Sequence, residues 1–401
     1  MKILMLTPYL PYPLLSGGQI RTYNLLKKLA HKHDITLFAL IKEPTEVQYL
    51  PELEKFCRKV KVFKRSQRPF TLRNIIQTAF SSYPFLVIRN YVPEAITAIE
   101  KELQEEHYDL IHAETFYMMP HLPKTTVPTI LVEQTIEYLG YESYAESTKW
   151  SWLKTLLKID INKIRKWETH FWNSCNKLIV MSEEDKQFIA KEIGTPDKIA
   201  VVANGVDSEW FAEKKNLLPE RPTLLSVGTF KWLPNVEAVT FLVKEVWPLI
   251  KKQLPDAKLW IVGNAPTPDV VAFQQKDTSI TVTGGIPDIR DAFKGSHLLI
   301  APVFSGKGTR YKILEAMASE TPIVATSIAV EGLGVQDGEE VLISDTAQGL
   351  ANAAVELVKQ PQLRKKLAEN GRDFVSKHFD WSYISQELDR IYEELGQHQK
   401  Q

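Results

Sequence analysis

Residues 305–315 read Ser-Gly-Lys-Gly-Thr-Arg-Tyr-Lys-Ile-Leu-Glu. They stand behind an apolar run from Leu298 to Val303 and ahead of a helical pattern from Arg310 to Ser319. Two glycines at a helix N-terminus let backbone N–H groups approach an anion, and Lys307, Arg310 and Lys312 add positive charge beside them. Position 311 is Tyr, so the dinucleotide fingerprint Gly-x-Gly-x-x-Gly is incomplete, and the spacing is not that of a P-loop. Glu315 lies three residues after Lys312 on the same helix face. It can be a plain intrahelical ion pair, or a carboxylate that accepts sugar or ribose hydroxyls.

Four further sites sit where a strand ends. Ser16-Gly17-Gly18 precedes a helix starting near Gln19, and the backbone of Gly18 can meet a phosphate. The loop Gly228 to Asn235 follows a strand and carries Thr229 and Lys231. Gly284-Gly285-Ile286 follows another strand, and its backbone can read a base edge. His112 and Glu114 lie at the end of a strand that begins at Leu110; a histidine there is structural or catalytic.

The elements that position these loops alternate. Apolar runs of strand length occur at Lys2 to Thr7, Ile35 to Ile41, Leu110 to His112, Thr129 to Val132 and Leu178 to Met181. After the turn Asn204-Gly205-Val206-Asp207 and a polar linker from Lys214 to Pro222, the alternation restarts. Strands follow at Thr223 to Val227, Lys258 to Val262, Ile280 to Thr283, Leu298 to Val303 and Pro322 to Thr326, with a helix from Val236 to Lys252. Two βα arrays in tandem predict an α/β protein of two doubly wound domains, and such sheets bind ligands at the carboxyl ends of their strands.

Composition narrows the function. The 401 residues carry 49 Lys+Arg against 49 Asp+Glu, which argues against a broad nucleic-acid grip. Hydrophobic residues make up 44% and charged residues 24%, as in ordinary globular chains. The two cysteines, Cys57 and Cys175, allow no disulfide framework, which suits a reducing cytoplasm. No targeting segment or transmembrane run is visible. Two stretches are unusual. Lys55 to Pro93 holds nine basic residues and no acid, beside Phe70, Leu72, Ile75, Ile76, Phe80 and Phe85. Thr148 to Asn173 sets Trp150, Trp152, Trp167 and Trp172 among lysines. Such segments suit an anionic membrane surface; the alternative is a solvated basic face over helices that pack on the domain.

Taken together these residues resemble the family-four glycosyltransferases. The likeness rests on Gly17-Gly18 with Arg21, on Asn204-Gly205-Val206-Asp207 with Phe211, and on Trp260-Ile261-Val262-Gly263. Its most specific part is Leu314-Glu315-Ala316-Met317-Ala318 with Thr321 to Thr326 and Glu331-Gly332-Leu333. The chain looks most like bacterial sugar transferases of exopolysaccharide and capsule assembly. The resemblance implies the GT-B fold: two Rossmann-like domains facing a central cleft, an acceptor domain over 1–207 and a donor domain over 208–379. The final helix, about 380–401, would pack back on the first. It implies a retaining transfer from a nucleotide-diphosphate sugar to a saccharide or lipid-linked acceptor, with no metal or other cofactor and no nucleic-acid partner. The protein would be cytoplasmic, reaching the inner membrane face as a peripheral protein.

By position, Gly18 matches the glycine that meets the donor phosphate, and Glu315 matches the glutamate that holds the nucleotide ribose. Gly284 to Ile286 match the loop lining the base, and His112 and Glu114 lie where the family often places a histidine near the transferred sugar. The chain departs from the family where Lys307 replaces a glutamate eight residues before Glu315, and where Thr229 and Lys231 replace an Arg and a Lys that grip the diphosphate. Arg310 and Lys312 would then take over the diphosphate. The rival readings are a transferase-like protein without activity and a nucleotide-sugar epimerase of the same fold.

Overall fold

The computed structural model describes residues 1–148, 150–215, 217–305 and 311–398. The chain divides into two compact units, Met1–Ala203 with the segment from Ser385 onward, and Asn204–Ile384.

The first unit is built on a seven-stranded parallel sheet: β1 (Lys2–Thr7), β2 (Asp34–Ile41), β3 (Lys59–Lys64), β4 (Leu110–Glu114), β5 (Thr129–Glu133), β6 (Lys177–Val180) and β7 (Ile199–Val201). Its order is β3-β2-β1-β4-β5-β6-β7. The central strands β4 and β5 are buried along their whole length, as a sheet covered by helices on both faces requires. Leu4, Leu6, Ile111, Leu131 and Leu178 meet helix residues such as Ile99, Ile164 and Trp172 in one core.

The second unit repeats the plan with six strands: β8 (Thr223–Val227), β9 (Lys258–Val262), β10 (Ile280–Thr283), β11 (Leu298–Ala301), β12 (Ile323–Ala325) and β13 (Leu342–Ile343), in the order β10-β9-β8-β11-β12-β13. Both sheets reverse direction of growth at their first strand, the topological switch point of doubly wound folds. The doubly wound α/β architecture read from the sequence is therefore the one observed.

Three strands carry weak sequence signals. In β3 lysines alternate with apolar residues because it is the sheet's edge, and Lys59 and Lys61 lie beside the buried Glu102 at 2.5 and 3.3 Å. Strands β7 and β13 are only three and two residues long. The predicted helix from Val236 to Lys252 is three pieces: Leu233–Phe241, a wide π turn at Leu242–Val246, and Trp247–Gln253. Pro248 has no N–H to donate to the preceding turn, so the helical ladder must widen there.

The turn Asn204–Asp207 belongs to the second unit, whereas the sequence reading ended the first domain at Asp207. Backbone bonds hold it there: Val206 donates to the Phe379 carbonyl at 2.8 Å, and Trp381 donates to Val206 at 3.2 Å. The helix Trp381–His398 starts in the second unit and belongs to the first from Ser385 onward. No helix among the described residues is long and apolar enough to cross a membrane.

Candidate functional site

In the second unit the predicted donor residues gather at the carboxyl edge of the sheet. The ends of β8 and β9 come into close approach: a Cβ on Gly263 would lie 1.6 Å from the Gly228 carbonyl oxygen, so only glycine fits. The Phe230 N–H donates to the Asn264 carbonyl at 2.9 Å, which folds the loop after β8 over the end of β9. Asn235 holds that loop from inside, donating through Nδ2 to the Thr229 carbonyl at 2.9 Å. Its Oδ1 accepts from Lys312 Nζ at 2.9 Å, which ties the loop to the helix Tyr311–Ala318. Thr229 is half-buried and Lys231 is exposed beside Trp232.

Glu315 lies one turn after Lys312. Ile313, Leu314, Ala316 and Met317 bury the other sides of that helix. Some of the Glu315 side chain reaches the surface, but its carboxyl accepts no hydrogen bond among the described residues. Burial pushes the carboxyl up to about 7, and the charge of Lys312 only partly counters it. A desolvated acceptor without a partner suits hydroxyl donors. It also departs from the simple Lys312–Glu315 ion pair, because Lys312 points to Asn235 instead.

At β10, a Cβ on Gly284 would meet nothing within 4 Å, so the backbone there is open to a ligand. Ile286 is half-buried next to it. Two predicted residues, Lys307 and Arg310, lie outside the described residues.

In the first unit, Ser16 caps the helix Gly17–Leu29, its hydroxyl accepting from the Gln19 N–H. A Cβ on Gly18 would come 2.6 Å from the Tyr9 hydroxyl and 2.7 Å from Gln134 Oε1, so a glycine is needed for this helix start to reach the strand ends. Around it runs a buried polar network. Gln134 Nε2 donates to Tyr9 Oη and to Glu114 Oε2, both at 2.7 Å. Glu114 Oε1 lies 3.1 Å from His112 Nε2, and His112 Nδ1 lies 2.6 Å from the Tyr392 hydroxyl. Burial alone would raise the Glu114 carboxyl. The hydrogen bond and charge of His112, helped by Arg21 and Gln134, outweigh it and hold Glu114 below the ordinary carboxylate value. Thr115, the next residue, has φ of +70°, a strained conformation for a β-branched residue.

His112 and Glu114 are thus brought together as predicted, but each is only 1% exposed and both His112 ring nitrogens are engaged. The sequence reading missed Tyr9, Gln134 and Tyr392, and named Asn235 only as the end of its loop. Tyr9, Gln134 and Tyr392 stand in no motif, and only the position of Tyr9 and Gln134 just past strands β1 and β5 signals them.

The tryptophan-rich stretch is split between core and surface, with Leu156 and Ile159 more than half exposed. Trp172 is fully buried and donates to Glu133, and Trp167 stacks on Tyr83 with centroids 4.7 Å apart. Trp150 is 62% exposed, and the side chain of Trp152 is outside those described. The first basic stretch does expose its apolar residues, with Phe70, Leu72 and Phe80 all largely open to solvent.

Residues 15–210 match the family model of Glycosyltransferase Family 4, and residues 221–360 match that of Glycosyl transferases group 1. An uncharacterised 44.6 kDa protein of the cps region of Klebsiella pneumoniae is 22% identical over 94% of this chain and 96% of its own. A UDP-Gal:alpha-D-GlcNAc-diphosphoundecaprenol alpha-1,3-galactosyltransferase of Escherichia coli is 24% identical over 59% of this chain and 62% of its own. Among solved structures, a sucrose-phosphate synthase of Thermosynechococcus elongatus superposes with a TM-score of 0.71 at 17% identity, covering 98% of this chain and 99% of that one. The HepE protein of Anabaena in complex with UDP gives 0.66 at 16% identity, covering 98% and 100%. Two family matches in tandem on two doubly wound units make this chain a member of the family-four glycosyltransferases of GT-B fold.

Proposed function

We propose that the protein transfers a sugar, with retention of anomeric configuration, from a nucleotide-diphosphate donor to a saccharide or lipid-linked acceptor in cell-surface polysaccharide assembly. The observation that carries this reading is Glu315: a desolvated carboxyl beside Lys312, at the carboxyl edge of the second sheet. Glu315 would accept the ribose hydroxyls. Lys312, with Lys307 and Arg310, would balance the diphosphate charge and so carry the leaving group without a metal. Gly284 and Ile286 would line the base, and Thr229 and Lys231 the phosphate side of the loop after β8.

On the first unit, Gly18 would present backbone N–H groups to the donor phosphate. His112 and Glu114 would act from beneath the sugar site, by fixing Gln134 and Tyr9. The Anabaena neighbour was solved with UDP and with UDP-glucose, which supports a uridine donor. The Escherichia coli relative uses a diphosphoundecaprenol acceptor, which supports a lipid-linked one. The exposed apolar and basic residues between Lys64 and Phe80 support a peripheral position on an anionic membrane face.

The test is a panel of nucleotides and nucleotide sugars read by thermal shift, followed by transfer assays with the stabilising donor. A ligand at 100 times its dissociation constant should stabilise by about 2.7 kcal/mol. No stabilisation by any nucleoside diphosphate, in a folded protein, would overturn the reading.

A further inference from the structure

The nine basic residues between Lys55 and Arg89 separate into two groups. Lys55, Arg58, Lys59 and Lys61 pair with Glu52, Asp34, Glu106 and Glu102. Lys64, Arg65, Arg68, Arg73 and Arg89 make no ion pair among the described residues. The unpaired charges begin where β3 ends, at the carboxyl edge of the first sheet.

A groove of about 1070 Å³ opens there. Lys64, Arg65 and Arg73 line it together with Ile76, Phe80 and Tyr83, with Glu94 as the one acid among the described lining residues. The helix Leu72–Phe80 forms one wall, with Ile76 half exposed and Phe80 89% exposed. Tyr83 is braced by Trp167, whose ring stacks on it and whose Nε1 donates to the Ser82 carbonyl at 2.9 Å.

Arg65 has the environment of an anion site. Its guanidinium donates to Asn90 Oδ1, while its Nε is buried with no hydrogen-bond partner. Burial, together with the like charge of Arg89, holds it below the ordinary arginine value. The charges of Tyr117 and Glu46 act on Arg65 in the opposite sense, and that of Arg89 on Glu137, but neither guanidinium forms an ion pair among the described residues, so a further anion at Arg65 would be stabilised. The groove therefore lines one space with both unpaired cations and apolar side chains. Neither set suits a free sugar or an inorganic ion as well as the two together suit an amphiphile.

We propose that this groove binds one phosphorylated lipid, its phosphate held by Arg65 and Arg73 and its chain lying along Ile76, Phe80 and Tyr83. This rests on the transferase reading above, and names where the lipid end of the acceptor would be held. The site is local to the first unit and needs no nucleotide.

The probe is farnesyl phosphate below its aggregation concentration, with farnesol and inorganic phosphate as halves of it, titrated against the full chain by calorimetry. Farnesyl phosphate should bind at least about tenfold more tightly than either half, since a charge-assisted contact and apolar burial each contribute that much. Arg73→Glu and Phe80→Asp change exposed side chains and should leave the melting temperature unaltered. Each should weaken farnesyl phosphate at least about tenfold. Equal affinity in the wild type and both variants overturns the proposal. So does binding of inorganic phosphate alone, or binding only to phosphatidylglycerol vesicles, which would mark a membrane-facing surface and not a groove. If farnesyl phosphate binds as expected while no nucleotide does, the transferase reading fails and the groove stands.

Discussion

His112 Nδ1 and the Tyr392 hydroxyl meet at 2.6 Å, although 280 residues of chain separate them. Both side chains are essentially without solvent contact. The last helix therefore finishes the polar network that runs through Glu114 and Gln134 to Tyr9, beside the glycine helix start. Tyr392→Phe leaves His112 Nδ1 buried and unpaired, a cost of about 1–3 kcal/mol. We expect a lower melting temperature and a reduced transfer rate, with nucleotide affinity unchanged. A parallel loss of nucleotide affinity would place the network elsewhere in the mechanism.

Glu315 couples donor binding to pH. Its carboxyl titrates near 7 when folded, above the ordinary value for an exposed glutamate. The folded protein thus holds that proton more tightly than the unfolded chain, so stability falls as pH rises from about 4.5 through 7. Glu315→Gln removes the buried charge and should raise stability at pH 8, by on the order of 3 kcal/mol at most. The same change should weaken nucleotide binding about 100-fold or more, since two charge-assisted hydrogen bonds to ribose are lost. In the wild type, affinity should fall between pH 8 and pH 6. Calorimetric titrations at both pH values decide it, and unchanged affinity in folded Glu315→Gln would move the ribose site.

Lys312 and Asn235 act as one device, because the amide that holds the Thr229 loop also receives the ammonium. Lys312→Ala should reduce affinity for a nucleoside diphosphate by about tenfold and leave that for the bare nucleoside nearly unchanged. Asn235→Ala should weaken both ligands, since it frees the loop. Equal losses for the two ligands in Lys312→Ala would remove the side chain from the phosphates.

Gly18→Ala introduces a Cβ within 2.7 Å of both the Tyr9 hydroxyl and Gln134. These side chains can give way only by leaving their hydrogen bonds. We expect a destabilisation of about 1–3 kcal/mol and a large fall in transfer rate. A fully active Gly18→Ala protein would show that close approach of the helix start to the strand ends is not required.

Glu133 and Glu168 are a buried acidic pair behind β5. Glu168 accepts the Glu137 and Tyr138 N–H groups, yet burial pushes it up to about 8. Burial and then the charge of Glu168 push Glu133 well above the ordinary range, and Glu133 Oε2 has no partner. Both raised carboxyls make the folded state the tighter proton binder, so their contribution is lost as pH rises through about 8. Urea melts should show stability falling from pH 7 to pH 9, and falling less in Glu133→Gln. Identical slopes for the two proteins would exclude the pair as the cause.

The sequence by itself determined the doubly wound architecture and which residues stand in the loops after its strands. Apolar runs of strand length, alternating with helical patterns, fit buried parallel strands, and the loops after them are where such sheets bind ligands. Glu315, Lys312, Gly18 and Gly284 were legible because each stands just past a strand or in the first turns of a helix. Only the tertiary structure decided what those residues do to one another. It bonded Lys312 to Asn235, leaving only its charge to act on Glu315, and it left the carboxyl desolvated. It enclosed His112 and Glu114, which a strand end alone could equally have exposed. It brought in Tyr392 from the last helix, a partner no local pattern could name. It also divided the tryptophans from the basic stretch, packing Trp172 in the core while leaving Phe80 in solvent. Composition records which side chains are available, but burial and hydrogen bonding depend on which segments the fold places side by side, and those contacts span hundreds of residues.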